Sequence, residues 1–226
     1  ILKNFRNNRP ISALKQLVRG AAATQKIALQ RGIKSSLEPW NRVQKAPSRL
    51  HELFSKLLND EPLAALTPLE DALLYFSLRY DLPFRSEDLD ELCGDLELTY
   101  ADGGEGFRKK CSTKLEHPEA NEIVYRDRAG VTCRHSNAWE CERTAPVDTT
   151  KNAVVIVENF GFLPVEKMKE ILKDFGATFQ KYCGGTVEIH LLGDRVSEAD
   201  LGATGRTGIS ESDLPVNSKR LAFHQK

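Results

Sequence analysis

Five cysteine and histidine side chains crowd into one part of this chain. Cys111, His117, Cys133, His135 and Cys141 fall within 31 residues. Thiolate sulfur and imidazole nitrogen are the donors that suit zinc, taken four at a time in a tetrahedron. Cys111-x5-His117 joined to Cys133-x-His135 would supply such a set, with Cys141 replacing either histidine. The spacing argues against it. There is no C-x2-C pair, and the single residue between Cys133 and His135 is tight for two ligands on one strand. Zinc is the one cofactor the composition offers; the plain alternative is buried free thiols beside surface histidines, with no cofactor at all.

Other chemistry finds less support. Gly202, Gly205 and Gly208 stand at three-residue spacing around Arg206, a pattern whose backbone N–H groups could cradle an anion. A dinucleotide fingerprint, however, needs a strand before it and a helix after it, and a polar tail with Pro215 follows instead. Cys183 falls at the expected C-terminal end of a helix, where the dipole disfavours a thiolate. His190 is expected on the solvent side of a strand. No G-x-S-x-G elbow is present. No catalytic residue is expected.

Charge is the stronger signal. The first 34 residues hold eight Lys or Arg (Lys3, Arg6, Arg9, Lys15, Arg19, Lys26, Arg31 and Lys34) and no acid. Residues 1–50 carry a net +10, while 13 carboxylates in residues 60–105 face only Arg79 and Arg85. The eight cations are the expected partner-binding residues. They suit an acidic protein surface, the phosphates of RNA, or an anionic lipid surface. A basic helix of this length is marginal alone in water, so it needs something to pack on. The start also has the composition of a mitochondrial presequence. Since presequences are removed, the reading is that one lay upstream, that this strip belongs to the mature protein, and that the location is mitochondrial.

The elements that must position these residues are legible in part. Apolar residues at helical spacing predict a helix over 10–31 and a short one over 48–58. Thr67, Pro68 and Glu70 spell a capping box and predict a helix behind them. Ser86 followed by acids, with Gly94 as a stop, predicts another over 86–94. From 97 to 150 the periodicity disappears, and irregular structure with one or two short strands is expected, including a hairpin turning near Asp127–Gly130. Val154–Phe160, the helical stripe from Val165 to Phe179, and the alternation of Val187, Ile189 and Leu191 predict a βαβ unit with parallel strands. No apolar run approaches the ~20 residues of a spanning helix.

The sequence therefore predicts an α+β protein: a basic helical arm (1–47), an acidic helical segment (48–96), an irregular region with short strands (97–150), a βαβ unit (151–195) and an extended polar tail (196–226). The expected function is a non-catalytic accessory or scaffold subunit of a large assembly, a mitochondrial respiratory or ATP synthase complex. Its partners would be other subunits, with anionic lipid as a further surface. The alternatives are a mitochondrial ribosomal protein with an RNA-contacting arm, and a small zinc module or enzyme built on residues 111–141.

Overall fold

The computed structural model describes residues 1–30, 49–63, 67–134, 139–159, 163–193, 196–202 and 219–223. It shows a mixed α+β fold. Strand β1 (Leu2–Lys3) leads into α1 (Ser12–Gln30), followed by α2 (Arg49–Leu58) and α3 (Pro68–Tyr80). Strands β2 (Phe84–Asp88), β3 (Leu96–Tyr100), β4 (Phe107–Arg108), β5 (Leu115–Glu116), β6 (Ile123–Asp127), β7 (Gly130–Arg134), β8 (Trp139–Glu140) and β9 (Ala153–Val157) come next. Helix α4 (Val165–Cys183) and strands β10 (Thr186–Val187), β11 (Glu198–Gly202) and β12 (Lys219–Phe223) complete the order.

The strands form a four-stranded sheet (β10-β1-β9-β2), a six-stranded sheet (β11-β12-β3-β6-β7-β8) and the small β4–β5 hairpin. Strand β9 shows how the layers stack, because successive side chains point to opposite faces. Ala153, Val155 and Val157 meet the helices, joining Phe76, Phe84, Phe175 and Phe179 in the main core. Val154 and Ile156 face the other way and join Leu96, Tyr125, Cys133 and Leu221 of the six-stranded sheet. The helices thus cover one face of the smaller sheet, and the larger sheet covers the other.

Local chemistry explains the elements that the sequence announced. At the start of α3 the Glu70 N–H donates to the Thr67 hydroxyl at 3.2 Å, and the Thr67 N–H donates to Glu70 at 3.1 Å. The β6–β7 hairpin turns on Asp127, whose carboxylate accepts from the N–H groups of Ala129 (2.9 Å) and Gly130 (3.1 Å).

Several expectations need correction. The helix expected over 86–94 is strand β2, whose five residues are all buried, followed by a turn. Arg85 and Glu87 face the interior as a pair, so the acids read as a helix start are partly a strand's inward side chains. The region 97–150 is not irregular with one or two strands: β3 to β8 all lie in it. In the βαβ unit, β9 and β10 are each antiparallel to β1, which runs between them, so the crossover does not return beside its own strand. In the polar tail, β11 and β12 form an antiparallel hairpin, and β12 pairs parallel to β3.

The basic opening segment is built into this fold. Leu2 and Phe5 are buried in it, and the Arg6 N–H donates to the Cys183 carbonyl at 3.0 Å. Helix α1 packs on α3 and α2 through Leu14 and Val18. Part of the acidic segment serves as its counterweight: Lys26 pairs with Asp60, and Gln25 donates to Asp81 at 2.6 Å.

Candidate functional site

Between the two larger sheets lies a seam of charge. Arg85 and Glu87 alternate with Phe84 and Ser86 along β2, so they point away from the helices and toward β6 and β7. Both are wholly buried. Arg85 Nη1 donates to one Glu87 oxygen, and the Thr144 hydroxyl donates to the other. The guanidinium carbon sits 4.0 Å from the centre of the Tyr125 ring, a desolvated cation–π contact. The Tyr125 hydroxyl donates to Glu158 at 2.9 Å. Arg85 Nε and Nη2 and the second Glu158 oxygen are buried with no hydrogen-bond partner among the described residues. Those two nitrogens form the edge of a guanidinium that grips an oxyanion with two parallel bonds.

Burial sets the protonation of the seam. Desolvation pushes the Glu87 carboxyl up to about 7, against the pull of Arg85 and Thr144. It does the same to Glu158, against Arg85 and Tyr125. The Cys133 thiol is pushed up to about 12 by burial, despite Arg85. At neutral pH the seam therefore holds one permanent cation, two carboxyls that exchange protons readily, and a thiol that keeps its proton. In this arrangement it ties the sheets together.

Beside it opens a cleft of about 250 Å³ between α2, α3 and the strand edge at β4 and β8. Arg49, Lys56, Lys109 and Lys110 line it, with the exposed Cys111 and the carboxylate of Glu140. Arg49 pairs with Glu140, Lys110 with Glu70 at 2.7 Å, and Lys109 lies 4.8 Å over the Trp139 ring. The Glu140 charge is felt by Glu87 and Cys133, which links the cleft to the seam. A basic rim over a floor that includes Leu53, Leu63 and Leu74 is suited to holding phosphate or carboxylate groups on a partly apolar ligand.

The residues singled out by the sequence lie elsewhere. Cys133 is buried between the sheets, and Cys141 is buried in a separate small cluster with Phe107 and Val131. Cys111 is exposed, and His117 contacts the Glu105 carbonyl at 3.1 Å. His135 lies outside the described residues. Among the described residues no three His, Cys, Asp or Glu side chains gather as a metal site. Of the eight strip cations, Arg31 and Lys34 also lie outside the described residues. Lys3 is 3.9 Å from Glu188, and Lys26 is paired with Asp60. Arg6, Arg9 and Arg19 are exposed, with no ion pair among the described residues. Cys183 is buried, and burial pushes its thiol up to about 12. The seam and the cleft were missed; the alternation in "FRSED" was the available signal, masked by its charges.

The class that fold and site define is a mixed α+β protein with exposed arginines and a basic-rimmed cleft. The B3/4 domain family matches residues 36–174, more than half of the 226, and the chain belongs to that family. No curated protein matches it. The seam and the cleft both fall inside the matched segment.

Membership overturns the expected function. The B3/4 domain is of the phenylalanyl-tRNA synthetase β-subunit type. The chain is therefore not read as an accessory subunit of a respiratory or ATP synthase complex. The expectation of a non-enzyme is corrected too, since the family is enzyme-related. The partner the family points to is a nucleic acid or a protein. Among the described residues no helix is long and apolar enough to cross a membrane.

Proposed function

We propose that this chain binds tRNA, as a B3/4 module of an aminoacylation-related protein. The class of partner comes from the family. The place comes from one observation: Arg6, Arg9 and Arg19 stand exposed and without an ion pair among the described residues, on a stretch that carries no acid. Elsewhere the cations are largely committed. Arg143 grips Asp127 with two bonds, Arg134 grips Glu122, Lys110 pairs with Glu70 and Lys109 lies 3.8 Å from Glu52. Free guanidinium groups on a stretch of chain without acids are the footprint of phosphate contact. The strip precedes the matched segment, and the cleft in that segment offers a second basic surface to the same ligand.

Fluorescence anisotropy with end-labelled tRNA tests this across a salt series. Each phosphate contact should steepen the fall of log affinity with log salt by about 0.7 to 0.9. Replacing Arg6, Arg9 and Arg19 together with Gln should flatten the slope by about 2 to 3 and weaken binding at low salt. Equal affinity and equal slope in the wild type and the triple variant would remove the strip from the interface.

A further inference from the structure

A second cavity, about 420 Å³, opens between α1, α2 and the first turn of α3. Its size lies in the range of about 300–1,000 Å³ typical of small-molecule sites. Val18, Leu57 and Leu63 give it an apolar wall. Asp71 reaches it from α3 and is only 3% exposed, and its Oδ2 has no hydrogen-bond partner among the described residues. A buried carboxylate oxygen without a donor is costly, and such an atom facing a cavity marks a missing partner.

The remaining charges around the cavity sort into those in use and those free to act. Lys26 and Asp60 are paired with each other, and Glu61 accepts from Asn59 at 3.4 Å. Lys15 and Arg19, one helical turn apart on α1, also line the cavity and form no direct ion pair among the described residues, although the Lys15 charge is felt by Asp71. The cavity thus presents one unpartnered carboxylate, two cations held on a helix face, and an apolar wall. A lone cation would meet repulsion from Lys15 and Arg19, and a lone anion would leave Asp71 unpartnered. A molecule carrying both charges satisfies both sides.

We propose that this cavity binds a small zwitterion with an apolar body, its ammonium group on Asp71 and its oxyanion on Lys15 and Arg19. The oxyanion is a carboxylate in an α-amino acid or a phosphate in a phosphorylated amine, and the apolar wall favours the former. The inference shares Arg19 with the tRNA reading but rests on Asp71 and the apolar wall, which that reading does not use.

Isothermal titration calorimetry on the full chain, with L-leucine and O-phosphoethanolamine as probes, tests it. Saturable binding of either probe is expected, and which one binds more tightly identifies the oxyanion. N-acetyl-leucine, which has lost its cation, should bind at least tenfold more weakly than leucine. Asp71→Asn should weaken the successful probe by at least tenfold without weakening tRNA binding, because the substitution removes a negative charge and no cation. The substitution removes a buried charge, so the variant should fold, which a urea titration confirms. No saturable binding of either probe, or equal binding to Asp71→Asn, overturns the proposal. Loss of tRNA binding in the wild type would bear only on the other reading.

Discussion

Glu158 offers the most direct test of the buried seam. Burial raises its carboxyl from 4.5 to about 7, the pull of Arg85 and the Tyr125 hydrogen bond notwithstanding. A carboxyl that holds its proton more tightly in the folded state draws protons into that state between pH 4.5 and about 7. Wild-type stability from this group is therefore highest below pH 4.5 and falls as pH rises through the window. An amide does not titrate. Glu158→Gln should gain on the wild type by about 1.4 kcal/mol for each pH unit crossed, roughly 3 kcal/mol over the window. Burial holds the Tyr125 hydroxyl well above its ordinary value and pushes Cys133 up to about 12, both outside that range, while Glu87, raised to about 7, titrates in both proteins and largely cancels in the difference. Urea unfolding of both proteins, followed by circular dichroism in steps from pH 4.5 to above 7, gives the difference directly. A difference that stays flat, or that moves in favour of the wild type as pH rises, refutes the account of a desolvated carboxyl between the sheets.

Two further outcomes probe the packing around the functional surfaces. Phe76 is fully buried, with ring centres of Phe175 at 5.2 Å and Phe84 at 5.7 Å, so Phe76→Ala should cost about 3–5 kcal/mol in urea unfolding. Gly185 has a φ of +75°, and an added Cβ would lie 2.3 Å from the Lys3 carbonyl oxygen. Gly185→Ala should therefore push β1 away from β10, costing more than about 1 kcal/mol. Amide exchange at Leu2 and Phe5 should quicken in that variant before the rest of the sheet responds.

The legibility of this protein depended on whether its determinants were local. Helices α1, α2 and α3, the Asp127 hairpin and the strand–helix pair β9–α4 all carry their signals within a few residues: a stripe, a cap, a turn carboxylate. Strand β2 does not. Its sequence places Arg85 and Glu87 where an interior strand would ordinarily place Val or Ile, so the alternation is invisible unless one knows that the two charges neutralise each other. Ser86 and the following acids then imitate a helix start. Strand β1 has two residues and no local pattern; its place is dictated by β9 and β10. The same limit hid the site. The seam draws Arg85, Tyr125, Thr144 and Glu158 from four separate stretches, whereas the cysteines and histidines that looked like a cluster in the sequence are divided between separate cores and the surface. The basic strip was visible from composition alone, because unpaired charge needs no fold to be counted.

The position of β1 also governs the order in which the molecule can assemble. Leu2 pairs with Ala153 on one side and Val187 on the other, and the Ile1 amine donates to the Glu188 carbonyl, 187 positions away in the chain. Leu2 and its neighbours are thus among the last residues to find their places, because the slot that receives them is complete only when both β9 and β10 are in position. Closing so long a loop is entropically costly, and such non-local pairing slows folding. Until then Leu2 and Phe5 stay uncovered beside a run of positive charge. The same amino acids that finish the smaller sheet are exposed apolar surface until the rest of it has formed.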